Sequence, residues 1–322
     1  MVSEKLLGFA AENYNFDKAT LNFISDSTNQ IYMFHKDGTP YILRFSERPA
    51  EKIHEVKAEM DWLFYLAKNN ISVGLPLNAA NGGLAVMTSD NGVNYIITSF
   101  KTVNGTYWDK NNPDRWNDDI FYNWGKTMGD IHRLTKDFKP ANEQDIRGVF
   151  DGRFSLDDII KKCPSVNKIV EGLIDEMMAL PKDKDSYGLI HNDMHQWNFL
   201  IDGGEINVFD FDDSLYGWFA LDMGIALYHA LWWGRKNDAG HLFADEIITN
   251  FIKGYLSANH LSDFWLSKIP LFMKFRQICK FSWFFDPDSA DSHQKERIHN
   301  IENNILFTDY EINSLLFSGA NK

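Results

Sequence analysis

The chain has 322 residues, and 32 Lys and Arg against 45 Asp and Glu leave a formal charge of −13 and a pI near 5.2. This excludes a nucleic-acid footprint, which needs clustered basic residues to displace counterions from phosphates, and favours a neutral or cationic partner. Cys163 and Cys279 stand far apart without CxxC spacing, which excludes a disulfide framework and a thiolate metal site.

A chain of this length suits two lobes. Met1 to Lys5 leads into a short apolar stretch broken by Glu12, so a signal peptide is not expected. The longest apolar run, Gly224 to Trp233, contains His229 and is too short to span a bilayer, so no membrane association and a cytoplasmic location are expected.

In chain order, Leu21 to Ser25, Gln30 to His35 and Tyr41 to Phe45 read as strands of a small antiparallel sheet, the latter two joined by Lys36-Asp37-Gly38-Thr39-Pro40. From Ala50 to Lys68, Ile53, Val56, Met60, Leu63 and Ala67 recur at helical spacing. A strand from Tyr95 to Phe100 follows, and Lys101 to Gly105 reads as the connection after which helical sequence takes over. Asp119 to Leu134 reads as a buried helix with Gly125 and Gly129 placed for close approach of another backbone. Further helices are expected at Val166 to Ala179, Met223 to Trp233, Phe243 to Leu256 and Leu261 to Phe284.

A β-type interlude from Tyr187 to Phe211 carries the chemistry. Apolar runs flank the polar loop His191-Asn192-Asp193-Met194-His195-Gln196-Trp197-Asn198, and Gly203-Gly204 reads as a two-residue hairpin turn that sets Asn198 opposite Phe209 and beside Asp210. An amide oxygen and a carboxylate placed together are hard ligands that suit Mg²⁺, completed by phosphate oxygens and water. Asp193 starts the same loop. Phosphoryl transfer needs a carboxylate to orient the attacking hydroxyl and accept its proton, with oxygen ligands for a metal that bridges nucleotide phosphates.

His191, Asp193, Asn198 and Asp210 match, in identity and order, the His-x-Asp-x-x-x-x-Asn motif and following metal-binding Asp of the aminoglycoside phosphotransferase and choline kinase superfamily, relatives of protein kinases, which this chain resembles. The resemblance implies an α+β, two-lobed protein-kinase-like fold: residues 1–103 as a nucleotide-binding lobe, a small antiparallel sheet with one helix, over a mostly helical catalytic and substrate-binding lobe, 104–322, that carries the catalytic hairpin, with ATP at the hinge. It implies Asp193 as catalytic base with His191 supporting the loop, and Asn198 and Asp210 as Mg²⁺ ligands. Arg44 stands where the protein-kinase strand carries Lys, so the resemblance makes it the nucleotide-phosphate contact, held by Glu59; Glu55 on the same helical face is an alternative partner. The loop Ser25 to Asn29 lacks glycine, so side chains such as Ser27 and Thr28 would meet the phosphates, while Ser99 and Lys101, within Thr98 to Thr102, would offer backbone groups to adenine, ATP being the donor and GTP the alternative. Asp222 resembles the later acid that buttresses the catalytic loop. Asp212 reads either as a second metal contact or as a solvated acid, and His132 as a core histidine.

Eleven residues separate Asp210 from Asp222 and no Ala-Pro-Glu closure follows, so the acceptor is expected to be a small hydroxylated molecule, not a protein. Asp213, Tyr216, Trp218, Trp283, Phe284 and Asp286 are candidate lining, acids and aromatic faces that would suit an amine-bearing or sugar-like compound. Two rival readings are a catalytically silent nucleotide-binding module and a metal-dependent hydrolase built on His191, Asp193 and His195. The sequence leaves the oligomeric state open.

Overall fold

The computed structural model describes residues 1–152, 156–236 and 241–303, without the side chains of 233–236, 241–243, Phe284 and His293. The chain forms two compact units, one from residues 1–106, 137–148 and 200–214, the other from the remainder. No described helix is long and apolar enough to cross a membrane.

The first unit is built on an antiparallel five-stranded sheet of β1 (Asn22–Asp26), β2 (Gln30–Lys36), β3 (Thr39–Glu47), β4 (Ala85–Asp90) and β5 (Val93–Lys101), in the order β1-β2-β3-β5-β4. Helix α1 (Glu4–Tyr14), capped by Ser3, and α2 (Ile53–Lys68) pack on it. Alternation along each strand decides what meets which helix. Leu43, Phe45 and Ile97 join Leu6, Ala10 and Tyr14 of α1 in one core, while Ile96 packs with Val56 and Met60 of α2 in another. Arg44 falls between Leu43 and Phe45 and therefore points away from the α1 core. Neither α1 nor β4 was expected from the sequence, although Asn91-Gly92, with φ of 49° and 81°, is a two-residue hairpin turn.

The same unit holds the hairpin of β7 (Phe199–Asp202) and β8 (Glu205–Val208), whose turn residues Gly203 and Gly204 both have positive φ, 57° and 91°. The hairpin is tied down on both sides. Val208 exchanges backbone bonds with Ser72 and Gly74, and Ile201 with Thr106.

The second unit is mostly helical: α3 (Asp118–Thr135), α4 (Asp157–Lys162), α5 (Asn167–Met178), α6 (Phe219–Lys236), α7 (His241–Ala258), α8 (Asp263–Leu266), α9 (Ile269–Phe284) and α10 (Ser292–Glu302), with β6 (Tyr187–Ile190) paired antiparallel to β9 (Leu215–Trp218). The single helix expected from Leu261 to Phe284 divides because Pro270 has no N–H to continue a ladder and sits instead in the first turn of α9. The expected close approach at Gly125 and Gly129 is real. A Cβ on Gly125 would lie 1.9 Å from the Phe251 carbonyl oxygen, one on Gly129 2.7 Å from that of Tyr255, and one on Gly254 of α7 1.9 Å from that of Tyr122. Backbone meets backbone along α3 and α7.

Gly125→Ala should therefore force the two helices apart and cost about 1–3 kcal/mol. Gly172→Ala on α5, where an added Cβ meets nothing within 4 Å, should be neutral or stabilise by about 0.5–1 kcal/mol. Thermal unfolding of the two variants checks this, and equal melting temperatures would contradict the packing described.

Candidate active site

The loop between β6 and β7 is held from beneath by Asp222, in the first turn of α6. Its Oδ2 accepts from the His191 N–H at 3.0 Å and its Oδ1 from the Asn192 N–H at 2.8 Å. His132 Nε2 of α3 lies 3.1 Å from Asp222 Oδ2, and His132 Nδ1 lies 2.9 Å from the Tyr255 hydroxyl of α7. Burial lowers the His132 pKa, despite Asp222, so the ring is neutral and donates to Asp222 while accepting from Tyr255. The Tyr255 oxygen in turn accepts from Asn259 Nδ2 at 2.9 Å. The donors and acceptors named in that chain match one another.

On this support, Asn198 Nδ2 donates to both the Asp193 carbonyl, at 2.9 Å, and Asp193 Oδ2, at 3.0 Å. His191 is fully buried and its Nδ1 accepts from the Asp193 N–H at 3.3 Å. His191 thus shapes the loop. Burial alone would raise the Asp193 carboxyl, but Arg276, His195 and His191 hold it below the usual carboxylate range.

In the first unit, Arg44 Nη1 and Nη2 donate to Glu59 Oε1 and Oε2 at 2.9 and 2.7 Å, a bidentate pair with both side chains buried. Asp212 joins it. Its Oδ1 lies 3.4 Å from Arg44 Nη1, and its Oδ2 accepts from Arg48 Nη2 at 2.6 Å and from Asn29 Nδ2 at 2.8 Å. Burial would lower the Arg44 guanidinium and raise the Asp212 carboxyl; Glu59 and Asp212 reverse the first, and Arg44 and Arg48 the second. Arg147 braces the segment by donating to the backbone carbonyls of Ser214 at 2.6 Å, Glu55 at 3.0 Å and Asp212. Asp210, two residues beyond β8, is exposed and takes a left-handed φ of 63°.

A model of the phosphotransferase enzyme family matches residues 20–262. The chain belongs to that family. It is 33% identical, over 97% of its length and 96% of the relative's, to amicoumacin kinase of Bacillus subtilis (strain 168). Among solved structures it is similar to the amicoumacin kinase hAmiN in complex with AMP-PNP, Ca²⁺ and Ami, with a TM-score of 0.87, 27% identity and coverage of 98% and 97% of the two chains. A microcompartment-associated aminopropanol kinase aligns with a TM-score of 0.73 at 20% identity, covering 94% of each chain. The phosphotransferase therefore has the expected protein-kinase-like α+β fold and acts on a hydroxyl group.

The other expected site residues differ in exposure and in partners. Trp218 is fully buried, donates from Nε1 to the Pro181 carbonyl at 2.8 Å and packs against Phe150, Tyr187 and Phe272, so it is core and not acceptor lining. Asp286 is exposed, but its oxygens accept from Asp288 N–H at 3.1 Å and Ser289 Oγ at 2.7 Å, which makes it the organiser of a turn. Ser99 is fully buried, its carbonyl accepts from Leu77 N–H and the Lys101 N–H donates to the Leu75 carbonyl, both at 2.8 Å. Ser27 and Thr28 are exposed in the bend between β1 and β2, where Asn29 makes the bond to Asp212. Asp213 is exposed, Tyr216 is partly buried, and the Phe284 side chain lies outside the described residues.

Trp283 is 51% exposed at the end of α9, with the Arg276 guanidinium 4.9 Å and the Lys280 ammonium 5.1 Å from its ring centre. Glu59, not Glu55, holds Arg44; Glu55 pairs with Lys52 on the surface. Asp212 is buried and so is not a solvated acid; its Oδ2 is taken by Arg48 and Asn29, while its Oδ1 has no hydrogen-bond partner among the described residues. Asp193, His195 and His229 bring ligand atoms within 4.8 Å of one another, the nearest approach to the hydrolase reading, but Arg276 already bonds Asp193 and His229. Sequence reasoning missed Arg147, Arg276 and His229, lone residues without a motif.

Glu59→Ala should leave Arg44 buried with a weakened partner set and lower stability by about 3–5 kcal/mol, whereas Glu55→Ala should cost no more than about 1 kcal/mol. Urea titration separates the two, and a Glu55 variant as unstable as the Glu59 variant would overturn the pairing. Asp222→Ala should lower turnover at least about tenfold while the protein remains folded, because the loop amides lose their acceptor; unchanged turnover would remove Asp222 from the support of the site.

Proposed function

We propose that this phosphotransferase is a cytoplasmic, Mg²⁺-dependent kinase that moves the γ-phosphoryl group of ATP to a hydroxyl of a small, amine-bearing acceptor of the amicoumacin kind. Residues 1–103 supply the nucleotide contacts and residues 104–322 the catalytic and acceptor-binding groups. The observation that carries the reading is the contact of Asn198 Nδ2 with Asp193 Oδ2, 3.0 Å, in a loop whose amides end on Asp222. The identity of 33% to amicoumacin kinase supports the acceptor class and AMP-PNP in hAmiN supports the donor.

Asp193 accepts the hydrogen bond of the acceptor hydroxyl and aims its oxygen at the γ-phosphorus. As the new O–P bond forms, the bond from the γ-phosphorus to the bridging oxygen breaks, ADP leaves, and the hydroxyl proton passes to Asp193. The donor chemistry fits Mg²⁺: Asn198 spends its amide nitrogen on Asp193, which leaves an oxygen to coordinate, and Asp210 is an exposed carboxylate. When bound, the metal neutralises charge on the β- and γ-phosphates. Arg44 keeps an Nε without a partner among the described residues, a buried donor suited to a phosphate oxygen. Asp213 and Trp283 remain proposed acceptor contacts.

With amicoumacin as acceptor and ATP as donor, Asp193→Asn should lower kcat by about a hundredfold or more with nucleotide affinity little changed. Asp210→Ala should abolish the Mg²⁺ dependence of nucleotide binding while the fold persists. Turnover of the Asp193 variant within a fewfold of the parent would defeat the assignment of the base, and unaltered Mg²⁺ dependence that of the metal ligand.

A further inference from the structure

The loop motif accounts for His191, Asp193 and Asn198 but not for the groups that close on Asp193 from α6 and α9. These two helices touch tightly at Gly224, where an added Cβ would lie 2.8 Å from Phe272 Cβ and 3.2 Å from the Ile269 carbonyl oxygen. Their register is thereby fixed. Just over one turn further along both helices, His229 of α6 meets Arg276 of α9. Arg276 donates from Nε to His229 Nε2 at 3.0 Å and from Nη2 to Asp193 Oδ1, with its guanidinium plane over Trp283.

Arg276 and His229 are 7% and 6% exposed. A buried guanidinium persists only where its donors are matched, and the partners here are a carboxylate, an imidazole lone pair and an aromatic face. Burial, reinforced by Arg276, pushes His229 well below its ordinary pKa, which leaves Nε2 free of a proton and able to accept. The Asp193 carboxylate is thus fixed at both ends: Oδ1 by Arg276, Oδ2 by Asn198, with His195 Nε2 3.4 Å from Oδ2. Two bonds at opposite oxygens fix the rotation of the carboxylate plane, which one bond would leave free. A metal ion at Asp193, His195 and His229 would have to displace the guanidinium from two of the three.

We propose that Arg276 is a positioning residue for phosphoryl transfer, aiming the Asp193 carboxylate at the acceptor hydroxyl, and that His229 aims Arg276. The inference rests on the reading of Asp193 given above. Arg276 acts through Asp193, so its removal lowers the rate of the chemical step and leaves ATP binding alone. Lysine, a point cation, reaches Asp193 or His229 but not both in one plane, and so restores part of the rate.

The test is a double-mutant cycle in single-turnover assays with ATP and amicoumacin. Arg276→Met should lower kcat by about tenfold to a hundredfold with the KM for ATP within about twofold, and Arg276→Lys should recover part of the loss. In the Asp193→Asn background, Arg276→Met should change the rate by less than about twofold, since nothing remains to be aimed. Should Arg276→Met fail to fold by circular dichroism, His229→Gln and Arg276→Lys carry the same cycle. Wild-type kcat in Arg276→Met, or the same loss in both backgrounds, would overturn the positioning role and leave Asp193 as base intact. Wild-type turnover of Asp193→Asn alone would overturn the reading on which the inference rests.

Discussion

The carboxylate of Asp222 takes the N–H groups of two successive residues, His191 and Asn192, and the rest of the loop between β6 and β7 is arranged around that double acceptance. Asn192 has a φ of 65°, a left-handed conformation that costs a non-glycine residue on the order of 1–3 kcal/mol and persists only where surrounding bonds over-determine it. The Asp222 oxygens do so. A fully buried carboxylate carries a large desolvation cost, which three features offset here: two backbone donors, the neutral His132 ring, and a place in the first turn of α6, where the helix dipole favours negative charge. Because His132 comes from α3 and its partner Tyr255 from α7, the close contact of those helices at Gly125 and Gly254 sets where the loop can stand.

The arginine cluster of the first unit follows from a different constraint, strand alternation. Leu43 and Phe45 must face the α1 core, so Arg44 must face α2, where Glu59 lies on the buried stripe between Val56 and Leu63. Once buried, the pair needs further acceptors, and Asp212 supplies one. The left-handed Asp210 turns the chain so that Phe211 packs edge-on against Trp62, at 5.2 Å, and Asp212 meets the arginines while Asp210 remains exposed. An inward acid and an outward acid two residues apart are thus assigned by backbone geometry, a distinction that Asp-Phe-Asp as a string of letters does not carry.

What was legible in the sequence was local. The loop from His191 to Asn198, the Gly203-Gly204 turn, the α2 period and the glycines of α3 all express themselves within a few residues. β9 was not legible because its four residues are defined by pairing with β6, and β4 because half of its side chains face outward; α1 lay under a stretch noticed only for lacking a leader's pattern. Trp218 was assigned by residue type and proximity to the motif, and burial decided it the other way. Arg147 and Arg276 bond groups 47 to 92 residues away, and no periodicity marks a lone arginine whose partner is that remote. The sites hardest to read were those where one unremarkable side chain satisfies several distant groups.

The proposal that Asp193 is the base needs a physical account, since the Arg276 guanidinium stabilises the ionised carboxylate and so weakens its pull on a proton. Phosphoryl transfer tolerates this better than most chemistry. Its transition state is loose, with little bond to the nucleophile when the old P–O bond is largely broken, so the acceptor hydroxyl gains acidity late and needs direction before it needs a strong base. A carboxylate kept ionised always accepts a hydrogen bond and never donates one, and one fixed at both oxygens points in one direction. Under the proposed roles, the Arg276 and Asn198 contacts exchange basicity for orientation, which this reaction needs first.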